Sequence, residues 1–318
     1  MSIFKLDPAF KDYIWGGTRL RDEYGKKCDY DKVAESWELS CHKDGPSVVA
    51  DGEYKDLTLN EYIEKAGKGV LGKNCERFEN FPILIKLIDA KDNLSVQVHP
   101  DNDYAMRVEG EYGKTEMWYV VDCDEGATLL YGFKHEITKE EFARRIADNT
   151  LLEVTNAVPV KKGDVFFIKS GTLHAIGKGI LIAEIQQNSN TTYRIYDYGR
   201  VGKDGKPREL HVDKALDVTK LAPAEQYPET PVEKKDGYDI KLLSKCEYFT
   251  TYRVNVETKA ELDADENSFN SILVLEGEPV ISGGETVSAK KGESVFISAG
   301  TGKYTVEGKC TFVLTKID

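Results

Sequence analysis

The chain has 318 residues, with 55 acidic against 43 basic side chains and a formal net charge of −12. That balance argues against non-specific nucleic-acid or anionic-membrane binding, and an anionic substrate would need a local basic cluster. No run approaches the ~20 apolar residues that span a bilayer, and the length suits roughly two domains at ~100–200 residues each.

In chain order, residues 57–66 read as a helix. Residues 81–88 (FPILIKLI), 116–121 (EMWYVV) and 127–131 (ATLLY) read as strands, being short, apolar and rich in β-branched or aromatic side chains. A second helix is expected over 138–147, where Thr138 followed by Glu141 makes a capping box and Phe142 and Ile146 share a face. Next come a strand over 180–185 (ILIAEI) and a helix over 213–221. The Pro-rich, charged stretch 223–235 reads as a linker, and strands follow at 250–256 and 271–275. Twenty-seven glycines against ten prolines supply the turns of a mainly β protein. The expected division is a larger unit over 1–235 and a smaller β unit over 236–318.

An internal repeat supports two related units. Residues 161–174 (KKGDVFFIKSGTLH) return ungapped as 290–303 (KKGESVFISAGTGK), with seven of fourteen positions identical. Each copy reads as a polar turn with Gly, a short strand and a second turn with Gly. Two copies about 130 residues apart suggest two β-barrels rather than a solenoid. Where the first copy has His174 the second has Lys303, so one competent site and one structural, degenerate barrel are expected.

The chemistry concentrates in the first unit. Side chains alternate along a strand, so Ser95, Gln97 and His99 face one way while Val96 and Val98 face the other. Gln97, His99, Glu116 and His174 make a set of one amide, one carboxylate and two imidazoles that suits zinc or another first-row divalent ion. A lone His is ordinarily a hydrogen-bonded structural residue, the reading kept for His42, His135 and His211. His99 and His174 depart from it because facing parity and a carboxylate partner agree. Glu116 inside an apolar strand would be costly without a partner.

The opening residues lack the basic-then-apolar run of a secretory signal. Cys28, Cys41, Cys75, Cys123, Cys246 and Cys310 are scattered without close spacing and read as free thiols. A cytoplasmic location follows as an expectation.

Gly163, Gly171 and His174 fall in register with the second signature motif of cupins, G-x-x-x-x-x-P-x-G-x-x-H-x-x-x-N, although Lys169 stands where Pro is usual and Lys178 where Asn is. The stretches PILIKLIDAKDNLSVQVHPDNDYA, GKTEMWYVV, SGTLHAIGKG and Thr192-Tyr193-Arg194-Ile195-Tyr196-Asp197 together resemble type I mannose-6-phosphate isomerases of the short bacterial form. So do Tyr13-Ile14-Trp15-Gly16-Gly17 and Glu35-Ser36-Trp37-Glu38. The resemblance implies two jelly-roll cupin barrels with a few helices. It also implies one Zn2+ per chain on Gln97, His99, Glu116 and His174, with Arg194 lining the active site. Its implied reaction interconverts mannose 6-phosphate and fructose 6-phosphate through an enediolate, with a small sugar phosphate as the only partner required.

A guanidinium keeps its proton, so Arg194 suits an electrostatic role on the enediolate or the phosphate. Lys114 lies two residues before Glu116 on the same face, and Glu184 is an acid within an apolar strand. The general base stays open between these two and a metal-bound water. Lys86, the only charge in its strand, and Ser95 are candidates for phosphate contact; a Lys snorkelling at a strand end is the plainer reading of the former. Trp15, Trp37 and Trp118 default to core packing, with Trp15 carried as a surface for the sugar face. Two rivals remain at this stage: a cupin iron oxygenase, since two His and a carboxylate also hold ferrous iron, and a non-enzymatic sugar-phosphate-binding cupin.

Overall fold

The computed structural model describes residues 2–202 and 205–318. Its strands form four sheets stacked in layers. A five-stranded sheet (Tyr193–Tyr196, Val96–Val98, His174–Ala175, Thr128–Phe133, Thr155–Pro159) faces a six-stranded sheet. The latter orders Val165–Ile168, Glu116–Cys123, Ile180–Gln187, Ile83–Ala90, Glu35–Leu39 and Ala9–Lys11. Trp118, Val120, Ile88, Ile180 and Ile182 from the second pack on Leu129 and Tyr131 from the first and on Ile176, just past its strand His174–Ala175. The back of the five-stranded sheet is covered by Phe142 and Ala215, from the helices Lys139–Ala147 and Val212–Val218.

The six-stranded sheet is buried on both faces, which is why its central strands read as almost unbroken apolar runs. Ile83, Ile85 and Leu87, with Met117, Tyr119, Leu181, Ala183 and Ile185, pack against Phe4, Leu273, Leu275, Phe296 and Val313 of the next, eight-stranded sheet. The alternate positions Lys86, Trp118 and Glu184 are then forced to the opposite face, inside the first sandwich. Beyond the eight-stranded sheet lies a four-stranded one, and the apolar set between them includes Val254, Ile272, Ile281, Val306 and Phe312.

The mainly β expectation, with two jelly-roll units and few helices, describes this chain. Neither unit closes into a continuous barrel; each is a pair of facing sheets. The expected strands occur, one shifted by two residues, 81–88 as Ile83–Ala90, and two extended by two, 116–121 as Glu116–Cys123 and 180–185 as Ile180–Gln187.

Two strand pairings run across the expected division at 235/236. The first strand, Ile3–Asp7, pairs antiparallel with Ser294–Ile297, so the N-terminus is part of the C-terminal sheet. The end of the expected linker, Val232–Lys235, pairs with Tyr238–Lys245 as an edge strand. Its charged side chains suit an exposed sheet edge.

At the helix 138–147, Thr138 Oγ1 accepts from Glu141 N at 3.1 Å, but the Glu141 carboxylate turns to Arg145 instead of closing the box. The complete capping box is at Thr58, where Glu61 N donates to Oγ1 and Glu61 Oε2 accepts from Thr58 N at 2.7 Å. All six cysteines are free.

Candidate metal centre and cleft

Register places the site residues in two rows that face each other across the first sandwich. On the five-stranded sheet Gln97 is opposite both His174 and Arg194. On the six-stranded sheet Glu184 is opposite both Lys86 and Trp118. Glu116, the first residue of its strand, pairs with Gln186 and Ile168 at the rim where the sheets approach.

The ligand atoms of His99, Glu116 and His174 lie within 4.8 Å of one another, and all three side chains are buried. His99 Nδ1 donates to Thr191 O at 2.9 Å, and His174 Nδ1 donates to Thr172 O at 2.8 Å. Each carbonyl fixes the tautomer and turns the Nε2 lone pair into the site, the arrangement ligating imidazoles adopt. His174 Nε2 is 3.4 Å from Glu116 Oε1, and His99 Nε2 is 3.7 Å from Oε2. Gln97 Nε2 stands 3.4 Å from His174 Nε2, so the amide, turned over, presents Oε1 to the same point.

Glu116 is completely buried, and neither of its oxygens has a well-formed hydrogen bond among the described residues. Lys114 Nζ approaches Oε2 at 2.9 Å as an ion pair and His99 Nε2 at 3.2 Å, without satisfying the carboxylate's lone pairs. Burial, with Glu184 nearby, pushes the Glu116 carboxyl up. Burial, with Lys114 nearby, holds the His99 imidazolium well below its ordinary range, and burial brings His174 down to about 4. Neutral imidazoles around a carboxylate with spare lone pairs are the donor set a divalent cation requires. These residues fit a metal.

Beside this set opens a cleft of about 240 Å³, lined among others by Tyr13, Trp15, Glu35, Lys86, Ser95, Gln97, Lys114, Glu184, Arg194 and Arg208. Glu184 Oε2 accepts from Trp118 Nε1 at 2.9 Å; Oε1 lies 3.2 Å from Lys86 Nζ and 3.9 Å from Lys114 Nζ. Burial opposes ionisation of Glu184, but Lys114 and Lys86 outweigh it and hold the carboxyl below its usual range. Burial likewise opposes charge on Lys86, and Glu35, Glu184 and Glu116 together raise it. Lys86 is therefore not snorkelling to solvent; it is enclosed between Glu35, at 3.5 Å, and Glu184. Arg194 Nε donates to Ser95 Oγ at 3.3 Å and Nη1 to Glu209 O at 3.0 Å, which aims the guanidinium along the cleft wall.

The structure thus brings all ten sequence-selected residues to one place, Trp15 as a buried wall residue. Sequence reasoning did not select Tyr13, Glu35, Asn190, Thr192 and Arg208 as cleft residues. Tyr13, Glu35 and Thr192 sit in tracts already quoted for the family resemblance; nothing local marks Asn190 or Arg208. Among the histidines left as structural, His135 is exposed and His42 is buried outside the cleft.

Fold and site together define a cupin-type protein with a buried candidate metal centre beside a charged cleft. A family model described as phosphomannose isomerase type I, catalytic domain, matches residues 3–126, and one described as mannose-6-phosphate isomerase, cupin domain, matches residues 239–317. A mannose-6-phosphate isomerase of Bacillus subtilis is 39% identical over 312 residues, 98% of this chain and 97% of that one. One from Streptococcus mutans is 39% identical over 291 residues, 89% and 88% of the two chains. The crystal structure of mannose 6-phosphate isomerase from Bacillus subtilis superposes with a TM-score of 0.93 at 38% identity, covering 99% of each chain. This chain belongs to the type I mannose-6-phosphate isomerase family and is an enzyme of that class. The oxygenase and non-enzymatic alternatives fall with that membership.

Proposed function

We propose that the cleft interconverts mannose 6-phosphate and fructose 6-phosphate through an enediolate, with one zinc ion per chain held by Gln97, His99, Glu116 and His174. The observation that carries this reading is Glu116, buried with both oxygens short of hydrogen bonds between two imidazoles whose Nε2 atoms face it. A bound zinc ion would supply Lewis acidity toward the sugar oxygens without redox chemistry.

The chain's own residues do the rest. The Glu184 carboxyl is held below its usual range beside Lys86 and Lys114, so it is suited to take the proton alpha to the sugar carbonyl and to return it to the neighbouring carbon of the enediolate. Trp118 Nε1 fixes the carboxylate plane, and Lys86 keeps it charged. Lys114, within reach of both Glu116 and Glu184, is placed to pass a proton to a sugar oxygen. Arg194 and Ser95 at the opposite wall hold negative charge, on the phosphate or on the enediolate oxygens. Trp15 and Tyr13 close the wall nearby and exclude water. With a net charge of −12 on the chain, these local cations are what draws a sugar phosphate in.

No helix among the described residues is long and apolar enough to cross a membrane. Six free thiols suit a reducing compartment, and we place the enzyme in the cytoplasm, acting on its small substrate with no protein or nucleic-acid partner.

The test is a coupled assay of fructose 6-phosphate formed from mannose 6-phosphate, run on purified protein, after chelation, and after zinc is restored. Turnover that vanishes with the chelator and returns with zinc is expected. Folded protein without turnover in any of the three conditions would overturn the reading.

A further inference from the structure

One polar cluster the mechanism leaves unused is built around the buried His42 and the partly buried Glu111. Glu111 lies between the helix Asn102–Val108 and the strand Glu116–Cys123, and its side chain is 21% exposed. Its two oxygens have separate tasks. Oε1 lies 3.4 Å from the buried His42 Nε2 and 3.2 Å from Lys43 Nζ. Oε2 gathers three donors from one loop: Asn190 N at 3.2 Å, Thr191 Oγ1 at 3.2 Å and Ser189 Oγ at 3.5 Å.

That loop joins the strand Ile180–Gln187 to Tyr193–Tyr196 and carries two functions at once. Its Thr191 carbonyl is the acceptor that fixes His99 Nδ1, and its Asn190 and Thr192 line the cleft. A carbonyl orients an imidazole only as well as its own peptide is held. At its start the loop is tied to another segment by Asn188 N, which donates to Pro82 O at 2.9 Å; its other ties, Gln186 Nε2 to Ser189 O, Ser189 N to Gln187 O and Thr191 N to Ser189 Oγ, stay within 180–191. Asn190 Nδ2 donates to Asp44 Oδ2 at 3.0 Å, an exposed contact of small net worth. Glu111 supplies the partly buried hydrogen bonds that anchor Asn190 and Thr191 to a separate part of the fold.

We infer that Glu111 is a positioning residue: by clamping residues 189–191 it sets the Thr191 carbonyl, and through it the ligating geometry of His99. His42 and Lys43 hold the other end of the carboxylate in place. The inference rests on His99 being a metal ligand, as proposed above.

Reach and charge separate in two conservative variants of the full chain. Glu111→Gln keeps the length and an acceptor oxygen for Asn190 N and Thr191 Oγ1 while losing the charge. Glu111→Asp keeps the charge and withdraws the oxygen by one methylene. Zinc affinity is read by competition with a chelating indicator, beside thermal unfolding of each variant. Glu111→Asp is expected to bind zinc about tenfold more weakly, the lower end of the ~10–100-fold range for outer-shell partners, and Glu111→Gln to stay within about threefold of the parent. Equal affinity in all three proteins, or loss in Gln with retention in Asp, would overturn the inference. His99→Ala is the control: if it keeps its zinc, the ligand assignment itself has failed, and if it alone loses zinc, only the role of Glu111 has.

Discussion

The two sandwiches of this chain share a turn-strand-turn unit and differ in what they place behind it. In the first, Lys161 N donates to Asp164 Oδ2 at 2.9 Å and Gly163 N to Val120 O at 2.8 Å. In the second, Lys290 N donates to Glu293 Oε2 at 2.8 Å and Gly292 N to Val274 O at 2.7 Å. Gly163 and Gly292 both have φ near +90°, where a side chain would be strained. The strands that follow, Val165–Ile168 and Ser294–Ile297, coincide in the repeat. Ile168 is then paired with Glu116, and its counterpart Ile297 is paired with Asn270.

The position of the proposed carboxylate ligand is thus an amide in the second unit. Asn270 Nδ2 donates to Tyr304 Oη and to Asp263 O, both at 2.9 Å, so its polar group is satisfied internally. The counterpart of His174 is Lys303, which is exposed. Apolar side chains including Val254, Ile272, Ile281, Val306 and Phe312 fill the interior. The backbone signals that make the fold are separable from the side chains that make a site. A buried carboxylate with lone pairs left over marks the unit that works, and a satisfied amide marks the one that supports it.

The largest effect is expected at His174→Ala, which should lose bound metal and turnover together, more than about 100-fold in kcat. Metal analysis beside the coupled assay checks it, and retained activity would remove His174 from the ligand set. Glu184→Gln should keep its metal and lose about 10²–10⁴-fold in kcat, the usual worth of a general base; a change confined to KM would make Glu184 a binding group. Arg194→Ala should also keep its metal while losing about 10²-fold in kcat, comparable to removing one oxyanion donor, and steady-state kinetics with metal content decide it. In the second unit, Tyr304→Phe removes an acceptor from Asn270 and should cost about 1–2 kcal/mol in chemical denaturation, with kcat unaltered. Lys303→Ala should stay within about 0.5 kcal/mol, as exposed substitutions do.

Much of this contrast was legible beforehand for a physical reason. Strand parity put Gln97 and His99 on one face and isolated Lys86 and Glu184 as charges in apolar runs, and both inferences need only the period of two. The loss of His174 at Lys303 is visible because the repeat spans that position. The replacement of Glu116 by Asn270 is not, since it lies outside the fourteen matched residues and emerges only from cross-strand register. Ile3–Asp7 is five residues long and finds its partner some 290 residues later, a pairing no local pattern encodes. Val232–Lys235 is wholly exposed, so burial left no alternation to read. Glu35 and Arg208 reach the cleft from segments far apart in the chain, and Glu111 acts through backbone contacts that composition does not reveal.

The most direct measurement is the zinc content of the purified full chain, taken beside that of His174→Ala and Asn270→Ala. The account predicts about one ion per chain in the parent, the same in Asn270→Ala, and close to none in His174→Ala. A parent holding about two ions, or one ion that survives His174→Ala and leaves with Asn270→Ala, would contradict it.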